Sequence, residues 1–399
     1  MTPSAPSLAG PAIIPGIARL LGPDRGLVAG TTVGLVCNPA SIDEGFRHSA
    51  DLLFEDPEIR LGAIFGPQHG FRSDLQDNMI ESPHAEDARR RVPIYSLYSE
   101  TREPTAGMLQ GIDALVIDLQ DVGTRVYTYI YTMANCMRAA ARHGVKVVVC
   151  DRPNPIGGDE VEGPTLREPW TSFVGQFPIP LRHGMTIAEL ARLFNEAFGL
   201  GAALEVVPLE GWRRSMYHDE TGLPWVITSP NIPTLDTAIV YPGAVLFEGT
   251  TLSEGRGTTR PFELIGAPWI DGDRLAAALN RRGLPGVHFR PVFFEPTFQK
   301  HARQTCGGCQ LHVTDRRAFE PVRTAVELIA EFRRQDPSRF AWREPPYEYE
   351  HDKQPIDILY GSDRLRATID SGLDLAPLFA VWESDEEAFR ARRREYLLY

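Results

Sequence analysis

Four groups of polar residues hold the side chains best suited to chemistry: Asn38; Gln68 and His69; Asp118, Gln120 and Asp121; and Asp151, Arg152 and Asn154. They offer carboxylates, amides and an imidazole, the types used to move protons or to grip a polar ligand. Each group follows an apolar run: Thr31–Cys37, Leu61–Phe65, Leu115–Leu119 and Val145–Cys150. Short apolar runs rich in β-branched residues read as strands buried on both faces. One polar strand end means little, but four in succession place a site along the carboxyl edge of an open parallel sheet. The plainer reading of Asp118 and Asp121, taken singly, is that they cap the loop and the helix that follows. A further cluster sits in Leu252–Glu263, where Glu254, Arg256, Arg260 and Glu263 stand among two glycines and a proline. Glycines let the backbone approach a ligand and arginines clamp carboxylates. The plainer alternative is a solvated turn with internal ion pairs.

The elements that must position these residues follow from spacing. After Asp121, Gly123 and Thr124 break the strand, and Val126, Ile130, Met133 and Met137 recur at helical intervals up to Gly144. With the run before and the run after, this is a β-α-β unit. A helix is expected around Ser49–Phe54, another behind the capping box of Thr186 and Glu189, and a fifth strand at Leu204–Val207. Arg72–Arg91 is polar and irregular, a site loop. Residues 1–15, rich in proline, serine and alanine, read as loose. The sequence from Trp212 to Pro233 is loop-rich, with Ser229–Pro233 as a hinge. Beyond it, helices are expected at Asp271–Asn280 and Pro321–Phe332, with short strands at Leu311–Val313 and Ala367–Ile369. The predicted fold is α/β: a Rossmann-like doubly wound parallel sheet over residues 1–233, and a smaller α+β domain over 234–399 that closes a cleft. No GxGxxG follows the first strand and no GxxxxGK[ST] occurs, so no nucleotide cofactor is expected.

Composition narrows the classes. A net charge of −12 argues against a nucleic-acid partner. No apolar run reaches membrane-spanning length, and the first residues lack a basic segment followed by a long apolar one, so the expected location is the cytoplasm. Five cysteines in 399 residues do not make a disulfide framework, and the single CxxC at Cys306–Cys309 has no second pair to complete a zinc site. No ligand spacing calls for a metal. Oligomeric state is not legible.

The motifs FGPQHGF, LQDVGTRVYTYIYTM, DRPNPIGG followed by VEGP, SPNIPT and GRGTTRPFE occur here in one order. Together they resemble the NamZ-like family of exo-β-N-acetylmuramidases, over nearly the whole chain from about Gly34. The resemblance implies a Rossmann-like catalytic domain, a smaller C-terminal domain, and a cleft in which terminal N-acetylmuramic acid is removed from peptidoglycan fragments. Family members are often exported. Many carry Glu where this chain has Gln68, and a neutral amide cannot serve as acid or base. Glycoside hydrolysis asks for two carboxylates, about 5 Å apart for retention and roughly 6.5–9.5 Å for inversion. Glu162, in a family motif, is the first candidate. Glu81 and Glu254 are possible replacements for the acid absent at position 68, and Gln68, His69 and Asp121 complete the catalytic set. Arg125, Arg256 and Arg260 are candidates for the lactyl carboxylate, with Asn38, Asp118, Asp151 and Asn154 as further substrate contacts. Two other classes stay open: a silent sugar-binding protein, separated by a turnover assay beside a binding assay, and a metal-dependent hydrolase built on Asp118, Asp121, Asp151 and His69, separated by a chelator.

Overall fold

The structure is a computed structural model, described here over residues 13–76 and 79–399. Most of residues 1–15, expected to be loose, and two residues of the Arg72–Arg91 stretch lie outside that range. Strands β1 (Thr32–Cys37), β2 (Arg60–Gly66), β3 (Ala85–Asp87), β4 (Val92–Ser96), β5 (Ala114–Asp118) and β6 (Lys146–Cys150) run along the first part of the chain. The small pair β7 (Glu162–Thr165) and β8 (Pro180–Arg182) and then β9 (Leu204–Val207) follow. Seven of these form one sheet in the order β3-β4-β2-β1-β5-β6-β9, in which β3 alone is antiparallel. Numbering only the parallel strands along the chain, the order is 3-2-1-4-5-6, that of dinucleotide-binding folds.

Alternation along the strands explains both layers. Val33, Leu35, Val116, Val148 and Cys150 face one apolar layer with α1 (Gly16–Leu20) and α2 (Ser49–Glu55). Val36, Leu115, Ile117, Val147 and Val149 face the other, with α3 (Tyr129–His143) and α4 (Ile187–Ala197). Helix α3 stops at Gly144, which takes the left-handed conformation expected of a C-terminal glycine. The register pairs Cys37 with Asp118 and Ile117 with Val149. Asn38, His69, Asp118 and Asp151 therefore lie along one carboxyl edge, as the repeated strand-then-polar pattern predicts.

The second part is α+β. Helix α5 (Leu235–Ala244) leads to β10 (Leu264–Ala267), α6 (Gly272–Asn280), β11 (Val287–Phe294), β12 (Cys306–Val313) and α7 (Pro321–Gln335). These strands form an antiparallel sheet in the order β10-β12-β11. Helices α5 and α7 cross so closely that a Cβ on Gly243 would sit 1.9 Å from the Pro321 carbonyl oxygen. The chain ends in α8 (Pro355–Tyr360), α9 (Arg364–Ser371) and α10 (Ala376–Arg393), and α10 returns to pack on β7. One apolar cluster runs continuously from the second face of the large sheet into this part.

Several elements differ from expectation, among them β3, which lies inside the Arg72–Arg91 stretch read as irregular. Ala367–Ile369 is helical, inside α9, because the buried residues there are Leu365 and Ile369, four apart, and the apolar signal is helical rather than alternating. Strand β4 lies just beyond the irregular stretch and was hidden by Pro93, which argues against a strand interior. Pro93 lies opposite Glu86 of β3, and the parallel pairing to β2 begins only at Ile94. Cys306 and Cys309 both lie in β12, where residues three apart point to opposite faces.

Candidate active site

A cavity at the carboxyl edge of the sheet gathers residues from distant stretches. Gln68 and His69 come from the loop after β2, Tyr127–Tyr129 from the start of α3, and Ser229, Asn231 and Ile232 from the SPNIP loop. The second part contributes Tyr241, Glu248, Arg256, Phe262, Tyr347 and Glu348. His69 and Phe262 hold positive φ values of 70° and 64°, and such backbone strain clusters at functional sites.

Two carboxyl groups line the cavity among the described residues, and their surroundings differ. Glu348 accepts a hydrogen bond from the Tyr98 hydroxyl at 2.7 Å and one from the Gln68 amide at 3.2 Å. The other end of that amide accepts from the Thr128 hydroxyl at 2.7 Å, which fixes its orientation. Burial pushes the Glu348 carboxyl above its ordinary range, the Glu248 charge adds to this, and the two hydrogen bonds only partly oppose it. Burial also pushes Glu248 up, but the Arg256 charge and hydrogen bond outweigh it, helped by Tyr347, and hold Glu248 below its ordinary value. The Arg256 guanidinium donates to Glu248 at 2.6 Å, and Tyr347 donates to its other oxygen at 2.7 Å. Arg256 is 5% exposed, yet its Nη1 has no hydrogen-bond partner. A guanidinium N–H that is buried, unpaired and beside a cavity is a ready donor for a ligand carboxylate.

Of the residues the sequence singles out, Gln68, His69 and Arg256 meet here. His69 is oriented by its Nδ1, 2.7 Å from the Leu75 carbonyl oxygen. The others lie elsewhere. Glu162 sits in a separate cavity beside Glu320, Arg323, Trp382 and Glu386, where it accepts from the Arg323 backbone N–H in the first turn of α7 at 2.9 Å. Burial pushes its carboxyl up to about 8. Glu81 is on the surface, its side chain 52% exposed and 3.9 Å from Arg102. Glu254 is buried between Lys300 at 2.7 Å and Arg256 at 3.4 Å. Arg260 lies on the surface against Glu263.

The remaining polar strand ends serve the fold. Asp118 makes a two-point contact with Arg152 at 2.5 and 2.7 Å and accepts from Ser49. Asn38 donates to the Thr228 carbonyl at 2.8 Å, and Asn154 to that of Met185 at 3.0 Å. Asp121 accepts from the Gly123 N–H at 2.7 Å and lies 3.2 Å from His183 Nε2. Gly123 is at φ 79°, where a Cβ would strike the Asn154 side chain at 2.6 Å, so only glycine closes this turn. Asp151 takes backbone N–H groups of Arg152 and Ala188 and the hydroxyls of Thr186 and Tyr399. Arg125 donates to the carbonyls of Pro164, Ile179 and Leu359 at 2.8 to 3.1 Å, and burial lowers its pKa to about 10. These six side chains are engaged with internal partners, and although Asp121 Oδ1 and Arg125 Nε have no hydrogen-bond partner, none of the six lines the cavity. Among the described residues no three His, Cys, Asp or Glu side chains gather as metal ligands, and no helix is long and apolar enough to cross a membrane.

Sequence reading missed Glu248, Tyr347 and Glu348. Glu248 carried one signal: an acid inside the otherwise apolar stretch Tyr241–Gly249, and buried acids are rare unless paired. Glu348, within Tyr347–Glu350, carried none.

Comparison with known proteins decides the family. The pattern described as exo-beta-N-acetylmuramidase NamZ, N-terminal, matches residues 33–236, and the corresponding C-terminal pattern matches residues 239–399. The chain belongs to the NamZ family. It is 45% identical, over 389 residues, to the peptidoglycan beta-N-acetylmuramidase NamZ of Bacillus subtilis (strain 168), covering 98% of this chain and 92% of that protein. Two DUF1343 family proteins of Bacteroides fragilis NCTC 9343 share the fold in crystal structures. One has a TM-score of 0.89 at 35% identity, covering 98% of this chain and 100% of the other. The second has a TM-score of 0.77 at 28% identity, covering 97% and 99%.

Proposed function

We propose that this NamZ-family chain is a glycoside hydrolase that releases terminal β-linked N-acetylmuramic acid from peptidoglycan fragments. The observation that carries the reading is the cavity itself. It joins two buried carboxyls of opposite tendency with an arginine whose Nη1 is unpaired. The first two suit the cleavage of an acetal, and the third suits the lactyl carboxylate that distinguishes muramic acid from glucosamine. The near full-length similarity to a B. subtilis protein named for this activity supports the same substrate class. The room the cavity offers to water-sized molecules is about 40 Å³, enough for a few waters. Incubating the purified chain with a disaccharide carrying N-acetylmuramic acid at its non-reducing end should release that sugar, detected by mass spectrometry, equally with and without a chelator. Binding of the disaccharide with no release of sugar would instead favour a silent sugar-binding protein, and loss of release in the chelator restored by a metal would favour a metal-dependent hydrolase.

A further inference from the structure

Gln68 lines the cavity as a neutral amide and cannot give a proton to a leaving group, so the proton donor must come from another element. We propose that Glu348 is the proton donor to the glycosidic oxygen, that Glu248, clamped by Arg256, faces the anomeric carbon, and that Gln68 is a positioning residue for Glu348. This rests on the glycosidase reading above and assigns its machinery.

Geometry excludes the other acids considered. Glu162 belongs to a different cavity, Glu254 is consumed by Lys300 and Arg256, and Glu81 is on the surface. The two lining carboxyls are held by one short turn, since Tyr347 donates to Glu248 and the next residue is Glu348 itself. That turn is closed by reciprocal backbone bonds between Tyr347 and Glu350, with Glu348 at φ 45° and Tyr349 at φ 68°. Two consecutive non-glycine residues with left-handed φ are a strained arrangement that persists only when the surroundings impose it. Here the strain places the Glu348 carboxyl between Tyr98 and Gln68.

Each carboxyl then suits one task. Glu348 is buried near a second negative charge, so it holds its proton more tightly than an ordinary carboxyl. Glu248 is neutralised by an arginine and stays charged. Paired acids whose surroundings drive them apart in this way divide the roles of acid and charged partner. As the C–O bond breaks, its electron pair stays on the leaving oxygen, which takes the Glu348 proton. Positive charge builds at the anomeric carbon opposite the Glu248 carboxylate. Water then bonds to that carbon and returns one proton to Glu348, so that one water is consumed and both groups end as they began.

The test compares kcat/KM on two N-acetylmuramic acid glycosides: a disaccharide, whose sugar leaving group needs a proton, and a 4-nitrophenyl glycoside, whose leaving group does not. Glu348→Gln should lower kcat/KM on the disaccharide by about 10²–10⁴-fold and on the nitrophenyl substrate by less than about tenfold. Glu248→Gln should lower both by about 10²-fold or more, the scale of a lost transition-state charge partner. Thermal melts of each variant check that it is folded. Equal losses on both substrates for Glu348→Gln would overturn the assignment while leaving the enzyme a glycosidase. A wild type that cleaves neither substrate would overturn the glycosidase reading, and this one with it. Gln68→Glu gives an independent readout. A carboxyl at that position lies against Glu348, and like charges at this range raise the proton affinity of the pair by a unit or more. The alkaline limb of the kcat/KM profile, where the acid loses its proton, should move to higher pH by about that amount. An unmoved limb would remove Gln68 from its positioning role.

Discussion

At the scale of single residues, burial and partners separate groups that look alike in the sequence. Glu162 and Glu348 are both buried acids with raised proton affinity, but Glu162 closes the start of α7 through the Arg323 N–H and faces another cavity. Glu162→Gln should therefore leave turnover within a few-fold of wild type, measured on the disaccharide. Its effect belongs to stability. The folded carboxyl titrates at about 8 against an ordinary 4.5, so the folded state holds the proton more tightly. Stability is full below the ordinary value and is lost as pH rises through 8. Denaturant melts at pH 6 and pH 9 should show a smaller loss in Glu162→Gln than in wild type, and an equal loss would contradict the assigned protonation. Arg256 makes the opposite case. Its unpaired Nη1 suits a substrate carboxylate, and hydrogen bonds to charged groups contribute about 1.5–3 kcal/mol. Arg256→Lys should lower kcat/KM on the muramic acid substrate by roughly 10–100-fold, and by clearly less on the matching N-acetylglucosamine substrate. Equal losses on the two would mean that Arg256 serves Glu248 alone.

At the scale of elements, the candidate cavity lies at the carboxyl edge that the four strands share, but of their polar ends only Gln68 and His69 line it, and most of the others hold the elements together. Asp151 shows why. It lies at the start of α4 and takes the Ala188 N–H and the Thr186 hydroxyl, beside the capping box of Thr186 and Glu189. Helix starts expose unpaired N–H groups and favour negative charge, so a strand-end aspartate pointing at one is consumed by it. Thr186→Ala removes both the cap and the bond to Asp151 and should destabilise the chain by about 1–2 kcal/mol in a denaturant titration. Tyr399→Phe tests the other side of the same cluster. The hydroxyl donates to Asp151 at 2.8 Å and accepts from the Leu209 N–H at 2.5 Å, and leaving both without it should cost about 1–3 kcal/mol. A variant as stable as wild type would mean that water replaces the hydroxyl.

At the scale of the whole molecule, the two parts are joined by polar bridges as well as by a shared apolar core. Arg125 is fully buried, and its guanidinium ties the carbonyls of Pro164 and Ile179 to that of Leu359, which lies 234 residues beyond Arg125 itself. Arg125→Met leaves those acceptors buried and unpaired, each at about 1–3 kcal/mol. A loss of several kcal/mol in the denaturant midpoint is expected, and little change would mean the carbonyls rehydrate.

The sequence by itself determined strands such as Thr32–Cys37 and Lys146–Cys150, because these runs are apolar on both faces and can only be buried within a layered sheet. It also determined the helix starts and stops whose signals are local, such as Thr186 with Glu189 and Gly144. Its candidate residues Gln68, His69 and Arg256 are among those that line the cavity at the carboxyl edge. Only the tertiary structure decided which acids face the cavity. Glu248 and Glu348 are a hundred residues apart, one in the short helix Val245–Gly249 and the other in a turn with no periodic pattern. The proton affinity of a carboxyl is set by how far it is withdrawn from water and by the charge beside it, and neither is written in the residues next to it along the chain.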